Sequence, residues 1–85
     1  MNLYLLEPND GLPYEDNPWE PWFDKCFGVV VAANNEDEAR IEASEASSDE
    51  GEDAWLKSEY STCVLIGTAT DGTERRTILQ SINYA

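Results

Sequence analysis

Residues 26–40 read Cys26-Phe-Gly-Val-Val-Val-Ala-Ala-Asn-Asn-Glu-Asp-Glu-Ala-Arg40, and the change of pattern inside this stretch decides the fold. Cys26 to Ala32 is rich in β-branched and aromatic residues and predicts a strand. Its apolar character is continuous, which predicts a central position with one face against a helix. Asn34-Asn35 then precedes Glu36-Asp-Glu38. An Asn cap ahead of three acids satisfies orphan N–H groups and suits the positive end of a helix dipole. Ala39, Ala43 and Ala46 recur at i, i+4 and i+7, a narrow apolar stripe. Ile41 lies off the stripe and is expected to widen the buried face or to pack at its edge. The spacing predicts an amphipathic helix over 35–48 that approaches a sheet closely through its alanines.

Working outward, Leu3-Tyr-Leu-Leu6 predicts a first strand over 2–6, stopped by Glu7-Pro-Asn-Asp-Gly11. Residues 7–24 form a long acidic connection that contains all four prolines. A loop of that length is usually functional or packed by its own side chains. On the other side, Ser47-Ser-Asp-Glu-Gly51 ends the helix, with Gly51 as a left-handed cap. Glu52 to Lys57 predicts one short helical turn pinned to the core by Trp55 and Leu56. Ser61-Thr-Cys-Val-Leu-Ile-Gly67 is a third strand, Asp71-Gly72 a hairpin signal, and Arg76 to Ile82 a fourth strand antiparallel to the third. The expected fold class is α+β: a small, mostly antiparallel sheet of about four strands, in the order β-loop-β-α-β-β, with one amphipathic helix packed on it. Residues 1–85 are expected to form a single small domain, with no repeat and no linker.

The charge balance is the unusual property. Eighteen acids against five Lys and Arg, with no His, leave −13 at pH 7. Residues 7–24 carry six acids and no base, residues 36–59 carry ten acids against Arg40 and Lys57, and residues 60–85 are neutral. Such a surface repels phosphate, so direct binding to nucleic acid or to an anionic membrane is not expected. Its natural partners are cationic. Met1-Asn-Leu-Tyr-Leu-Leu-Glu7 has no basic start, so no signal peptide is expected, and no apolar run approaches a membrane span. Two cysteines do not make a disulfide scaffold, and the expected setting is the cytoplasm with reduced thiols. A Cys26–Cys63 bridge requires two adjacent strands.

No catalytic or cofactor signature is present. Without His, a Ser or Cys nucleophile lacks its usual base, and no common zinc or iron site is expected. Asp49-Glu-Gly-Glu-Asp53 lacks the spacing of a calcium loop. No metal, cofactor or enzymatic activity is therefore expected.

The segment Glu15-Asp-Asn-Pro-Trp-Glu-Pro-Trp-Phe-Asp24 places large aromatics among prolines and acids. Trp22 and Phe23 lead into the strand and are expected inside. Tyr14 and Trp19 sit nearer the loop centre and are expected outside, as aromatic anchors for a partner. The acids of 36–53 supply the second candidate surface: Glu36, Asp37, Glu42, Glu45, Asp49, Glu50, Glu52 and Asp53. Carboxylates on a helix face recur every 5–6 Å, and duplex DNA presents a charge about every 1.7 Å of axis. Such a face imitates a stretch of phosphate backbone. The plain alternative is a solvated acidic face.

Trp19-x-x-Trp-Phe-Asp-Lys-x-Phe-Gly-Val-Val-Val-x-Ala, Glu38-Ala-Arg-x-x-Ala43, Asp49-Glu-Gly51, Trp55 and Ser61-Thr-Cys63 together resemble a group of small phage- and prophage-borne proteins. The resemblance spans residues 3–82. It implies origin and a strand, helix, hairpin layout, but no assigned activity. The acid excess departs from that group, whose helix carries more bases. In size, charge and lack of chemistry the chain is also similar to acidic DNA-mimic inhibitors of restriction and CRISPR systems, a likeness of class. The expected function is a phage-encoded inhibitor of a host defence or nucleic-acid-processing complex. It would bind a basic groove of a nucleic-acid-binding host protein, with a monomer favoured over a homodimer. The alternative is a phage accessory adaptor that binds a protein through the aromatic loop.

Overall fold

A computed structural model describes residues 1–9, 19, 25–47 and 50–83, with 25–27 and 81–83 described through their backbone alone. Its elements run β1 (Asn2–Pro8), β2 (Lys25–Ala33), α1 (Glu36–Glu45), α2 (Asp53–Leu56), β3 (Ser61–Thr68) and β4 (Arg76–Asn83). The strands form one antiparallel sheet in the order β3-β1-β2-β4, and the helices pack on one face of it. This is the expected α+β class.

Alternation along the strands assigns the two faces. Tyr4 opposite Val31 and Leu6 opposite Val29 point toward the helices and are buried. Ala39 and Ala43 of α1 close over them, joined by Ala54, Trp55 and Trp19. Trp55 and Leu6 are completely enclosed. Burying side chains of this kind contributes roughly 1.5–3 kcal/mol each.

The α1 N-terminus forms as its sequence predicts. Asn35 is extended, and its Oδ1 accepts from the Glu38 N–H at 2.9 Å. Glu38 Oε1 in turn accepts from the Asn34 N–H at 3.4 Å. The helix ends earlier than its pattern suggested, with Ala46 as its cap. Gly51 does take a left-handed φ of +83°, but in the turn before α2 rather than at the end of α1. Ala46 is half-buried, and Ile41, expected to widen the buried face or pack at its edge, is instead exposed. Leu56, expected to help pin the short helix, is exposed, because four residues present a single inward face and Ala54 and Trp55 occupy it.

Arg40 fastens the layers. Its guanidinium is buried, and Nε donates to Glu36 Oε2 at 2.9 Å. Nη1 donates to Trp55 O at 3.0 Å and to Ser61 Oγ at 2.9 Å, and Nη2 donates to Ser61 O at 3.0 Å. One side chain thus ties α1, α2 and β3 together, using the planar donor fork of Arg.

Two expectations about strands are corrected. β1 does not stop at Leu6. It runs on to Pro8, which lies opposite Ser61 at the strand end, where a missing N–H is tolerated. Second, β3 and β4 do not form a hairpin, since they are the two opposite edges of the sheet. Asp71-Gly72 does turn, with Gly72 at φ +87° and the Thr73 N–H donating to Thr70 O at 3.1 Å. That turn belongs to a connection crossing the end of the sheet, where the Ala69 N–H donates to Met1 O at 2.8 Å. Three strand spacings of about 4.8 Å are well within reach of seven extended residues at roughly 3.3 Å each. The condition set for a Cys26–Cys63 bridge, two adjacent strands, is not met. Cys26 lies in β2 and Cys63 in β3, with β1 between them. Two strand spacings exceed the Cα separation of about 7 Å beyond which a disulfide cannot close. Cys63 is a free thiol packed against the core.

Trp19, expected outside as an anchor, is in the core, only 4% exposed. Its ring meets Trp55 edge to face at 4.9 Å, and its Nε1 donates to Tyr60 O at 3.0 Å. The alanines of α1 are too small to close that end of the sheet, and two indoles fill the remaining space. The expectations for Tyr14, Trp22 and Phe23 lie outside the described residues.

Candidate functional site

The acids expected to form one face separate into three groups. Asp37 and Glu45 are exposed on α1, eight residues apart and on the same side of it, with Ile41 between them. At 1.5 Å per residue the two carboxylates stand about 12 Å apart along the axis. Glu52 is exposed at the start of α2. Among the described residues, none of these three forms an ion pair.

The second group is exposed to a lesser degree or paired. Glu36 Oε2 meets Arg40 at 2.9 Å, with its side chain still half-exposed. Asp53 Oδ2 lies 3.9 Å from Lys57 Nζ, a solvated contact of little energetic weight. Glu42 Oε1 lies 3.5 Å from Arg75 Nε and is mostly enclosed, so the β3–β4 connection partly covers that side of α1.

Glu50 is the correction. It is buried, and its Oε1 accepts from Trp55 Nε1 at 3.1 Å. A buried indole N–H needs an acceptor, and the turn through Gly51 delivers one. Glu50 therefore belongs to the core and not to the acidic face. Asp49 and Tyr14 lie outside the described residues.

The cations redistribute the charge further. Arg40 is turned inward and spends its donors on Glu36, Trp55 and Ser61. Its positive charge is not presented to solvent. On the helix side of residues 36–59, Lys57 is the one base left exposed among the described residues. The exposed surface of this layer is thus more acidic than its composition indicates.

Among the described residues, the Cys63 thiol has its acidity altered by its surroundings. Burial, reinforced by the nearby Glu36 carboxylate and opposed by Arg40, raises its pKa from 9.0 to about 11. A thiol held protonated is a poor nucleophile. Among the described residues, no group of three or more Cys, Asp or Glu is arranged to hold a metal ion, and no helix is long and apolar enough to cross a membrane.

Sequence reasoning missed the inward roles of Arg40, Glu50 and Trp19. The i, i+4 spacing of Glu36 and Arg40 was a usable signal for that pair. Nothing local marks Glu50 or Trp19. In comparisons with known proteins, no family model, no curated protein and no solved structure matches the chain.

Proposed function

We propose that this chain is a phage-encoded inhibitor of a host defence complex, of the CRISPR or restriction type, or of another nucleic-acid-processing machine. It occupies a basic groove in place of nucleic acid. The observation that carries this reading is the set of exposed carboxylates Asp37, Glu45 and Glu52, which form no ion pair among the described residues, on a layer whose Arg40 is turned inward. Glu36 and Asp53 extend the set with half or more of their side chains in solvent. Carboxylates fixed on helices lose little entropy on binding, and their field speeds encounter with a cationic partner. The adaptor reading, through the aromatic loop, loses one of its two anchors, because Trp19 is committed to the core.

The test titrates the protein against duplex DNA held by purified restriction and CRISPR surveillance complexes. At about 0.1 M salt the protein displaces the DNA, and at about 0.5 M, where the Debye length is only a few Å, it does not. Asp37→Lys, Glu45→Lys and Glu52→Lys together abolish displacement while circular dichroism stays native. Displacement that survives the triple change, or the absence of displacement from every complex in the panel, rejects the proposal.

A further inference from the structure

The face of the sheet opposite the helices carries an uninterrupted apolar row. In register, Val64 of β3 lies opposite Leu5 of β1, Leu5 opposite Val30 of β2, and Val30 opposite Leu79 of β4. The row therefore crosses all four strands. Leu3, partly buried, extends it one position toward the sheet end, where its neighbour Ala32 is fully enclosed and adds no exposed surface. The outer members of the row are exposed, Val64 by 52% and Leu79 by 67%, and the central Leu5 and Val30 are partly buried between their neighbours. The only described charged side chains on this face are Glu7 and Arg76, one of each sign, at opposite ends of the sheet.

We propose that a second copy of this chain covers this face, giving a two-fold dimer of layer order helix-sheet-sheet-helix. Three observations favour a second copy. The first is area. Four strands spaced about 4.8 Å and about 20 Å of paired length give roughly 400 Å² of projected face per copy. Side-chain relief raises the accessible area, so two copies together bury on the order of the 1,000 Å² that a specific interface needs. The second is charge. The acids of α1 and α2 lie on the outer layers, and sheets pack about 10 Å apart. The acidic layers of the two copies are then separated by two sheets, more than the Debye length of about 8 Å at physiological salt. A self-complementary neutral face suits a two-fold axis, on which each patch meets itself. The third is the state of the edges. Both edge strands carry a register shift, between Leu3 and Tyr4 on the β3 side and between Val30 and Val31 on the β4 side. Bulges disfavour edge-to-edge pairing, so the face rather than an edge is the available contact. The dimer presents its two acidic layers outward and leaves them free for a partner, and it stands or falls independently of the inhibitor reading.

Sedimentation velocity over about 1–200 µM tests this. The weight-average mass rises toward twice the 9.5 kDa of one chain, and higher salt strengthens the association by screening residual repulsion. Leu79→Lys and Val64→Lys sit on opposite edge strands, and each weakens the dimer at least tenfold with an unchanged circular dichroism spectrum. A monomeric mass at 200 µM in both low and high salt overturns the proposal. A dimer that resists both substitutions overturns it, and so does a dimer sensitive to only one of them, which would indicate edge pairing.

Discussion

Arg40 shows how one polar residue can hold a small fold together. Its four hydrogen bonds reach two backbone carbonyls, a hydroxyl and a carboxylate. Arg40→Met keeps the aliphatic packing but removes the guanidinium donors from the Ser61 and Trp55 carbonyls, leaving Trp55 O only the Ser61 hydroxyl at 3.3 Å. The freed Glu36 remains half in water, which limits the loss. The expected cost is about 2–3 kcal/mol, or a fall of roughly 10–20 °C in Tm for a domain of this size, read by thermal denaturation. Cys63 makes a second prediction, on pH. Its thiol is raised in the folded chain from 9.0 to about 11. Below pH 9 both folded and unfolded chains keep the proton. Between pH 9 and 11 the unfolded chain releases it first, so stability falls as pH rises through that window. In a chain carrying Cys26→Ala, a thiol reagent at pH 8 should modify native Cys63 about a hundredfold more slowly than the urea-unfolded thiol, following the thiolate fraction. Equal rates would contradict the raised value. Neither Arg40 nor Glu50 could be placed from sequence, because whether a charged side chain on an amphipathic helix or turn points in depends on which polar groups the packed layer leaves unsatisfied. Here those were the Trp55 indole, the Trp55 carbonyl in α2 and the Ser61 carbonyl at the start of β3.

Among the elements, α1 was the most legible. Its cap, first-turn acids and alanine stripe agree with one another, and the structure follows them from Asn35 onward. The two central strands were legible as strands from their apolar runs. What the sequence did not reveal was pairing. Asp71-Gly72 reports a local reversal, and a local reversal does not say whether the next strand returns beside its neighbour or crosses to the far edge. That choice is made by β1 and β2, which are apolar on both faces and therefore take the middle of the sheet. The acids of α1 divide by the helix dipole. Asp37 sits in the first turn, where a carboxylate is favourable, but Glu45 is the last helical residue and no base accompanies it. An acid at that end is unfavourable by about 0.3–1 kcal/mol. Glu45→Lys is therefore expected to raise stability by a few degrees in Tm while weakening displacement of DNA from the target complex. Under the proposed function Glu45 serves binding rather than stability, and a stabilised but fully active Glu45→Lys would deny it that role.

At the scale of the whole molecule, salt acts on folding and on binding with opposite signs. The chain carries −13 at pH 7, and its described ion pairs, Glu36–Arg40, Glu42–Arg75 and Asp53–Lys57, use Arg40, Arg75 and Lys57 against a large excess of acids. Two of these pairs are largely solvated or long and contribute little, and only Arg40 is deeply enclosed. Net repulsion among the exposed carboxylates then outweighs attraction, and it is stronger in the compact state than in the extended one. Raising salt from about 20 mM to 0.5 M shortens the Debye length from roughly 20 Å to about 4 Å. That should relieve the repulsion and raise Tm by roughly 5–10 °C. The same change removes the attraction between the acidic layer and a basic groove, so displacement of DNA is lost while the fold is at its most stable. Thermal melts and displacement assays across one salt series measure both effects. A Tm that falls with salt would mean that the ion pairs, and not the unpaired acids, dominate the electrostatics. The exposed carboxylates would then be a balanced surface rather than one strained toward a cationic partner.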